Sequence, residues 1–346
     1  MPETAIIEVG NRELKLSNLQ KVLYPDAGFS KRQVIDYYIR VAPFILPHLE
    51  GRPLTMKRYP DGVEAEFFYE KNAPKHRPDW VKTAPVWSDG NRRNMDFVMA
   101  QDLPTLVWLA NLASLELHTS LSKAKDMLCP TMMVFDLDPG PPANIVQCCQ
   151  VAFWLREIFV HFGLESFPKT SGSKGLQIYV PLNTPASYDK TKPFAHALAQ
   201  LLEHDHRDQV VSEMKKEKRG GKVFIDWSQN DDHKTTVCVY SLRAREKPTA
   251  STPVTWEEVE RCWKKKDPKL LVFEAAQVID RCEKYGDLFA DVEKLRQKLP
   301  DVKSGTAQVE IAAQAEPGAG TKSAAKSRSK KAARGSSRAK VKTGRL

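Results

Sequence analysis

The chain has 346 residues, 41% of them hydrophobic and including seven tryptophans, enough for a substantial core in one large domain or two smaller ones. Its six cysteines (129, 148, 149, 238, 262 and 282) form no CxxC pair, the N-terminus MPETAIIEVG lacks the signature of a signal peptide, and no run approaches the roughly 18 apolar residues of a membrane span. The reading is a cytoplasmic protein with reduced thiols, no structural zinc and no membrane contact. The net charge of +10 is uneven: Val302 to Leu346 carries eleven Lys or Arg against two Glu.

In chain order, residues 5–16 alternate around Gly10-Asn11 and predict a hairpin. Ser30-Lys31-Arg32-Gln33 is a capping box, and Val34, Tyr37, Tyr38 and Val41 give the following helix an apolar face that Pro43 and Pro47 should limit. A strand is predicted from Pro53 to Tyr59, then an irregular surface excursion over 70–93. Asp102 caps a helix expected to run through Leu115 to His118. Met132 to Phe135 reads as a buried strand carrying Asp136 and Asp138, ended by Pro139-Gly140. A helix over Ile145–Phe162 precedes a strand, the loop Ser171–Gly175 and a second strand, then a helix over about 190–204. After a basic loop at 213–222 come strands over Val223–Trp227 and Thr235–Leu242. Thr255-Trp-Glu-Glu258 opens the last helices. The interleaving predicts an α/β or α+β body over 1–301. The tail over 302–346, rich in Ala, Ser and Lys and without aromatics, is predicted to be disordered. It suits an electrostatic arm for nucleic acid and, equally, a solubilising tail.

Asp136 and Asp138 sit at i and i+2 of a strand and so share a face. Adjacent carboxylates oppose each other's ionisation, and Mg²⁺ or Mn²⁺ resolves the conflict through hard oxygen ligands. The plain alternative is turn chemistry, since Asp before Pro-Gly is ordinary. Lys222-Val-Phe-Ile-Asp226 repeats the pattern 90 residues on, so three aspartates from two strands could form a two-metal site if the strands are neighbours. For Asp226 alone, a turn or cap role is commoner. The loop Ser171-Gly172-Ser173-Lys174-Gly175 can turn backbone N–H groups and one cation towards a phosphate. It lacks Walker A spacing, and a hairpin loop needs no ligand. Arg243 can hold a phosphate bidentately, although an exposed Arg is usually only solvated.

Together these pieces resemble a known family, the polymerase domain of bacterial ligase D in the archaeo-eukaryotic primase superfamily. The likeness runs from about Leu16 to Asp301. It includes Asn18-Leu-Gln-Lys-Val-Leu-Tyr-Pro25, Gly51-Arg-Pro-Leu-Thr-Met-Lys-Arg-Tyr-Pro60, Lys71-Asn-Ala-Pro-Lys-His-Arg-Pro-Asp-Trp80 and Trp108-Leu-Ala-Asn-Leu112 with Glu116-Leu-His118. Phe135-Asp-Leu-Asp-Pro-Gly140, Thr170-Ser-Gly-Ser-Lys-Gly-Leu176, Ile225-Asp-Trp-Ser-Gln-Asn230 and Tyr240-Ser-Leu-Arg243 complete it.

The resemblance implies an N-terminal α/β module packed on an RRM-like sheet, with Asp136, Asp138 and Asp226 as metal-binding catalytic residues in the cleft. It implies nucleotide contacts from Lys57, His118, Ser171, Gly172, Lys174, Gln177, Gln229 and Arg243. Asn18, Lys21 and Lys31 would grip a 5′-phosphate of DNA, and Phe67-Phe68 would stack on bases, chemistry that tolerates any sequence. It further implies Mn²⁺ or Mg²⁺, NTP or dNTP as substrate, and partnership with Ku and a separately encoded ligase. The expected setting is a monomer associated with the nucleoid. The family normally has histidine at the position of Gln177, which cannot carry a positive charge. Losing one charge-assisted contact costs about 1–3 kcal/mol, and His118, His161 or Lys174 are available to compensate. The expected activity is extension of 3′-hydroxyl ends at breaks or short gaps in non-homologous end joining. The rivals are an end-binding scaffold with decayed catalysis and a primase that starts chains de novo.

Overall fold

Apolar residues alternate with carboxylates along Met132–Pro139, and that strand is the centre of a five-stranded sheet in the computed structural model, which describes residues 4–88 and 90–300. Its order is Phe167–Thr170, Leu176–Pro181, Met132–Pro139, Val223–Asp226, Val210–Val211. Neighbours are antiparallel except the last pair. The period of two sends Met133, Phe135 and Leu137 to one face, where Leu176, Ile178 and Ile225 join them in a core closed by the helices Ile145–His161 and Tyr188–Asp205. Asp136 and Asp138 are left on the other face.

A six-stranded sheet is built mainly from the N-terminal half. Its order is Thr236–Val237, Ser114–Thr119, Leu54–Arg58, Arg93–Val98, Thr83–Ser88, with Phe68–Glu70 also paired to Leu54–Arg58. Leu54, Met56, Leu115 and Leu117 join the core with Tyr38 and Val41 of helix Lys31–Leu49, Leu106 of helix Leu103–Asn111 and Val278 of helix Ala275–Tyr285. Thr55, Lys57, Glu116 and His118 therefore occupy its opposite face. Among the described residues no helix is long and apolar enough to cross a membrane. The basic tail expected over 302–346 lies outside the described residues.

The N-terminal hairpin forms as expected, Thr4–Val9 against Arg12–Ser17 with Gly10 at φ +61°. Other segments depart from expectation for identifiable reasons. Helix Lys31–Leu49 continues through Pro43 and Pro47, because buried Val41, Ala42, Ile45 and Leu49 hold it against the core at the cost of two backbone hydrogen bonds. The segment expected as one helix to His118 breaks at Ala113, which adopts φ +55°, and Ser114–Thr119 becomes a strand. Its alternation of polar and apolar residues is a period-two signal that the apolar helix before it masks. The excursion over 70–93 contains the edge strand Thr83–Ser88, paired in register with Arg93–Val98. The strand expected over Thr235–Leu242 shortens to Thr236–Val237, and Tyr240 turns the chain at φ +63°.

A buried ionic network ties helix Lys31–Leu49 and the sheets to the C-terminal segment. Arg52, 2% exposed, donates to Leu121 O (2.8 Å), Thr131 Oγ1 (2.7 Å) and Glu293 Oε1 (2.8 Å). His48 Nε2 lies 2.9 Å from Asp287 Oδ2, whose Oδ1 accepts from the Tyr240 hydroxyl at 2.7 Å. Burial opposes charge on Glu293, but Arg52 and His48 outweigh it and hold its carboxyl down to about 2. A depressed carboxyl stabilises the fold above the ordinary Glu range, and that contribution disappears as pH falls towards the folded value. Urea denaturation should therefore show stability falling between pH 5 and about 2.5. Glu293→Gln should be less stable at pH 7 by about 3 kcal/mol and should show a shallower acid dependence; equal acid slopes would discount the network.

Candidate active site

Cross-strand register assembles the site. Gln177 pairs with Lys169 on one side and with Asp136 on the other, and Asp136 in turn pairs with Asp226. One row across four strands therefore reads Lys169, Gln177, Asp136, Asp226. Asp138 follows Asp136 on the same face two residues along. Burial, then the charges of Asp138 and Asp226, raise the Asp136 carboxyl well above the usual carboxylate range. Asp138 is flanked at longer range by Lys174 Nζ (3.9 Å) and Arg219 Nη1 (4.0 Å).

Asp226 is already engaged. Its Oδ1 accepts from the backbone N–H (3.0 Å) and hydroxyl (2.6 Å) of Ser228, and its Oδ2 accepts from Gln229 Nε2 (2.8 Å). It thus also caps the short turn Trp227–Gln229, the commoner role weighed for it from sequence. Among the described residues the one trio of acidic or histidine ligand atoms within 4.8 Å of one another is Asp231, Asp232 and His233. The sheet aspartates share a face but are more widely spaced.

A cleft of about 810 Å³ separates the open faces of the two sheets, and Asp136, Asp138, Gln177 and Gln229 on one side meet Thr55, Tyr69 and His118 on the other. Glu116, 2% exposed, organises the second wall. Its Oε2 lies 2.9 Å from His118 Nε2 and 3.3 Å from Arg243 Nε, and its Oε1 lies 3.9 Å from Lys57 Nζ and accepts from the Ala244 N–H at 3.1 Å. Burial pushes the Glu116 carboxyl up, but His118, Arg243 and Lys57 outweigh it and hold it down to about 2. The His118 pKa is lowered, by burial first, against the pull of Glu116. A neutral His118 donating Nε2–H to Glu116 presents Nδ1 as an acceptor.

The loop between strands Phe167–Thr170 and Leu176–Pro181 borders the same cleft. Ser171 Oγ accepts from the N–H groups of Ser173 (3.2 Å) and Gly175 (3.1 Å), and Ser171 O accepts from Arg243 Nη1 (2.5 Å). Gly172 is at φ +68°, and a Cβ there would come within 2.7 Å of Arg243 Cγ and 2.6 Å of the Ala250 backbone. Glycine is needed for this close approach. Lys174 Nζ donates to Pro139 O at 3.3 Å and remains largely exposed. Gln177 is buried, with Oε1 accepting from the buried Lys169 ammonium, so this chain's answer to the expected histidine is an amide backed by a cation. His161 ends helix Ile145–His161 against Phe162 and does not line the cleft.

The residues expected to hold DNA lie apart from this row. Lys31 is 6% exposed, and its Nζ donates to Ser17 O at 2.7 Å. Burial, with Lys21 and Arg58 nearby, lowers its pKa to about 8. Lys21 pairs with Asp61 at 2.6 Å, and Asn18 adopts φ +54°. Phe67 and Phe68 do not form one platform. The Lys57 ammonium lies 3.9 Å from the Phe67 ring centroid, whereas the Arg58 guanidinium lies 5.0 Å from that of Phe68. Lys57 pairs with Tyr69 and Arg58 with Phe68, so Tyr69 shares the cleft face and Phe68 the opposite one. Sequence reasoning missed Glu116, Lys169 and Tyr69 as members of the site. Glu116 had a signal in its two-residue spacing from His118; Tyr69 and Lys169 had none, because their cross-strand partners exist only after the strands pair.

The acidic row suits a divalent cation by its all-oxygen donors and by the unfavourable charge that burial leaves on Asp136. A mixed α/β fold with carboxylates on one sheet facing clustered cations on another is an arrangement suited to phosphoryl-transfer chemistry on a polyanionic substrate. The comparisons agree. Residues 30–289 match the model of the LigD primase-polymerase domain, and the chain belongs to that family. It is 39% identical over 282 residues to the multifunctional non-homologous end joining protein LigD of Mycolicibacterium smegmatis, covering 81% of this chain and 36% of that protein. It is 32% identical over 289 residues to the bifunctional LigD of Bacillus subtilis, covering 83% of this chain and 45% of that one. The chain therefore spans less than half the length of these relatives. The solved polymerase domain of Mycobacterium tuberculosis ligase D in complex with DNA is 36% identical, with a TM-score of 0.76 over 82% of this chain and 99% of that one.

Glu116 makes the site's stability testable without substrate. Glu116→Ala leaves Lys57 and Arg243 without their buried counter-charge and should lower unfolding free energy by about 3–5 kcal/mol at pH 7 in urea melts. A loss within the noise of a surface substitution would show that the cations do not depend on it.

Proposed function

We propose that this chain is a template-directed nucleotidyltransferase that extends 3′-hydroxyl ends at DNA breaks or short gaps in non-homologous end joining. The observation that carries the reading is the alignment of Asp136 with Asp226 across paired strands, with Asp138 on the same face, opposite the cations gathered by Glu116. The solved relative bound to DNA supports DNA as the partner. Asp136, Asp138 and Asp226 would hold Mg²⁺ or Mn²⁺, which supplies an activated attacking oxygen and charge neutralisation on the phosphates. Ser171, Lys174, Arg243 and Lys57 would receive the triphosphate of an NTP or dNTP, with Gly172 shaping the loop. Gln229 would steady Asp226, and Gln177 would steady Asp136. His118, as an acceptor, suits a sugar hydroxyl better than a phosphate oxygen. Asn18, Lys21, Lys31, Phe67 and Phe68 would contact DNA, Lys31 only after release from Ser17. Residues 1–301 would form the catalytic domain and 302–346 a basic arm for DNA, with Ku and a ligase as partners near the nucleoid.

A second reading is an end-binding scaffold with decayed catalysis, favoured by the three hydrogen bonds that already engage Asp226 and by Gln177 Oε1 being taken up by Lys169. Purified protein on a gapped duplex bearing a 5′-phosphate, with Mn²⁺ or Mg²⁺ and each NTP or dNTP, separates the two. Extension that falls to background in Asp136→Ala/Asp138→Ala is the expected result. Binding of the gapped duplex without extension, unrescued by Gln177→His, would establish the scaffold instead.

A further inference from the structure

The buried lysine behind the acidic row has no place in the reading above. Lys169 is 0% exposed on strand Phe167–Thr170, and its Nζ donates to Gln177 Oε1, to Ser251 Oγ (2.7 Å) and to Val237 O (3.2 Å). The Tyr179 ring lies 5.2 Å away. A fully buried ammonium is costly unless it is held by acceptors and balanced by an anion. Its three acceptors are neutral, and burial lowers its pKa while Asp136 opposes that shift.

The geometry points to Lys169 as a positioning residue for Asp136, acting through Gln177. A glutamine side chain has one acceptor end and one donor end. The lysine takes the Oε1 end, which leaves Nε2 for the other side, where Asp136 is the neighbour of Gln177 in register. The register holds the three residues in one row across adjacent strands, so the chain of contacts needs no side chain to reach beyond its neighbour. Lys169 thereby prevents the amide from flipping and presenting its oxygen to a carboxylate it would repel. It also places an amino group one residue behind a ligand surrounded by two other acids. Ser251 and Val237 fix the lysine from the third side, so the orientation of Asp136 depends on a residue that never reaches the cleft surface.

The inference rests on the polymerase reading for its kinetic arm but not for its thermodynamic one. Partners of a metal ligand typically contribute about 10–100-fold to metal affinity or activity. Lys169→Met should reduce kcat on the gapped duplex by about tenfold or more, with the Kd for that duplex within about twofold of wild type by fluorescence anisotropy. Combining it with Gln177→Leu should produce no further loss beyond the slower single variant, because both break one chain of contacts. In EDTA, with no metal or nucleotide, Lys169→Met should lower Tm more when Asp136 is intact than in an Asp136→Asn background. If Lys169→Met gives no cooperative melt, Lys169→Gln, which keeps a donor and loses the charge, carries the same comparisons. Equal Tm losses in the two Asp136 backgrounds, or multiplying losses of kcat in the double variant, would overturn the proposal and reduce Lys169 to a packing residue. A wild-type protein that extends nothing would instead refute the polymerase reading, while the melting comparison would still decide the role of Lys169.

Discussion

Antiparallel register at the central strand is the constraint on which the rest depends. Pairing Met132–Pro139 with Leu176–Pro181 on one side and Val223–Asp226 on the other leaves Asp136 no choice of neighbours. A slip of one residue would send the carboxylates into the apolar core beneath the sheet and bring Phe135 and Leu137 to the cleft. The large apolar cluster under the strand therefore fixes where the acids point. The carboxylate cluster is electrostatically unfavourable by itself, and the fold accepts it because hydrophobic burial on the other face sets the register.

The charge thus created is managed locally. Lys169 stands behind the row, Lys174 and Arg219 stand near Asp138, and Ser228 with Gln229 satisfies Asp226. Gly140 belongs to the same arrangement, because a Cβ there would lie 1.9 Å from Arg219 O, so the basic loop can reach Asp138 only over glycine. Across the cleft the signs are reversed. Glu116 is the buried anion and Lys57, His118 and Arg243 are gathered around it. Each cluster of like charge is thus accompanied by groups of the opposite sign, which limits the desolvation cost of either.

Much of this was legible in the residues. The period-two alternation around Asp136 and Asp138 and the apolar approach to Asp226 are local patterns, and local patterns survive folding. Capping boxes at Ser30 and Thr255 marked helix starts that the structure reproduces. Proline was a poorer guide, since the packed face of helix Lys31–Leu49 outweighs two missing donors. What escaped were relations between distant residues. Glu116 reads as one more residue of a helix expected to run to His118, until strand pairing exposes it to Arg243, brought 3.3 Å away by a turn 127 positions later. Phe67 and Phe68 look like one aromatic surface in sequence, yet strand pairing sends Phe68 away and substitutes Tyr69.

The two walls together restrict what the cleft can accept. A purely anionic ligand meets attraction at Arg243 and Lys57 but repulsion from Asp136 and Asp138 opposite, and a bare cation meets the converse. At a few ångströms in a partly desolvated cleft each such interaction is worth several kcal/mol, far more than in bulk water. The ligand of lowest energy is therefore one that carries both signs in order, positive towards Asp136 and negative towards the Glu116 wall. A metal-bound polyphosphate has that polarity, and neither component alone does. Gln177 stands in the acidic row as a neutral amide whose oxygen is held by Lys169.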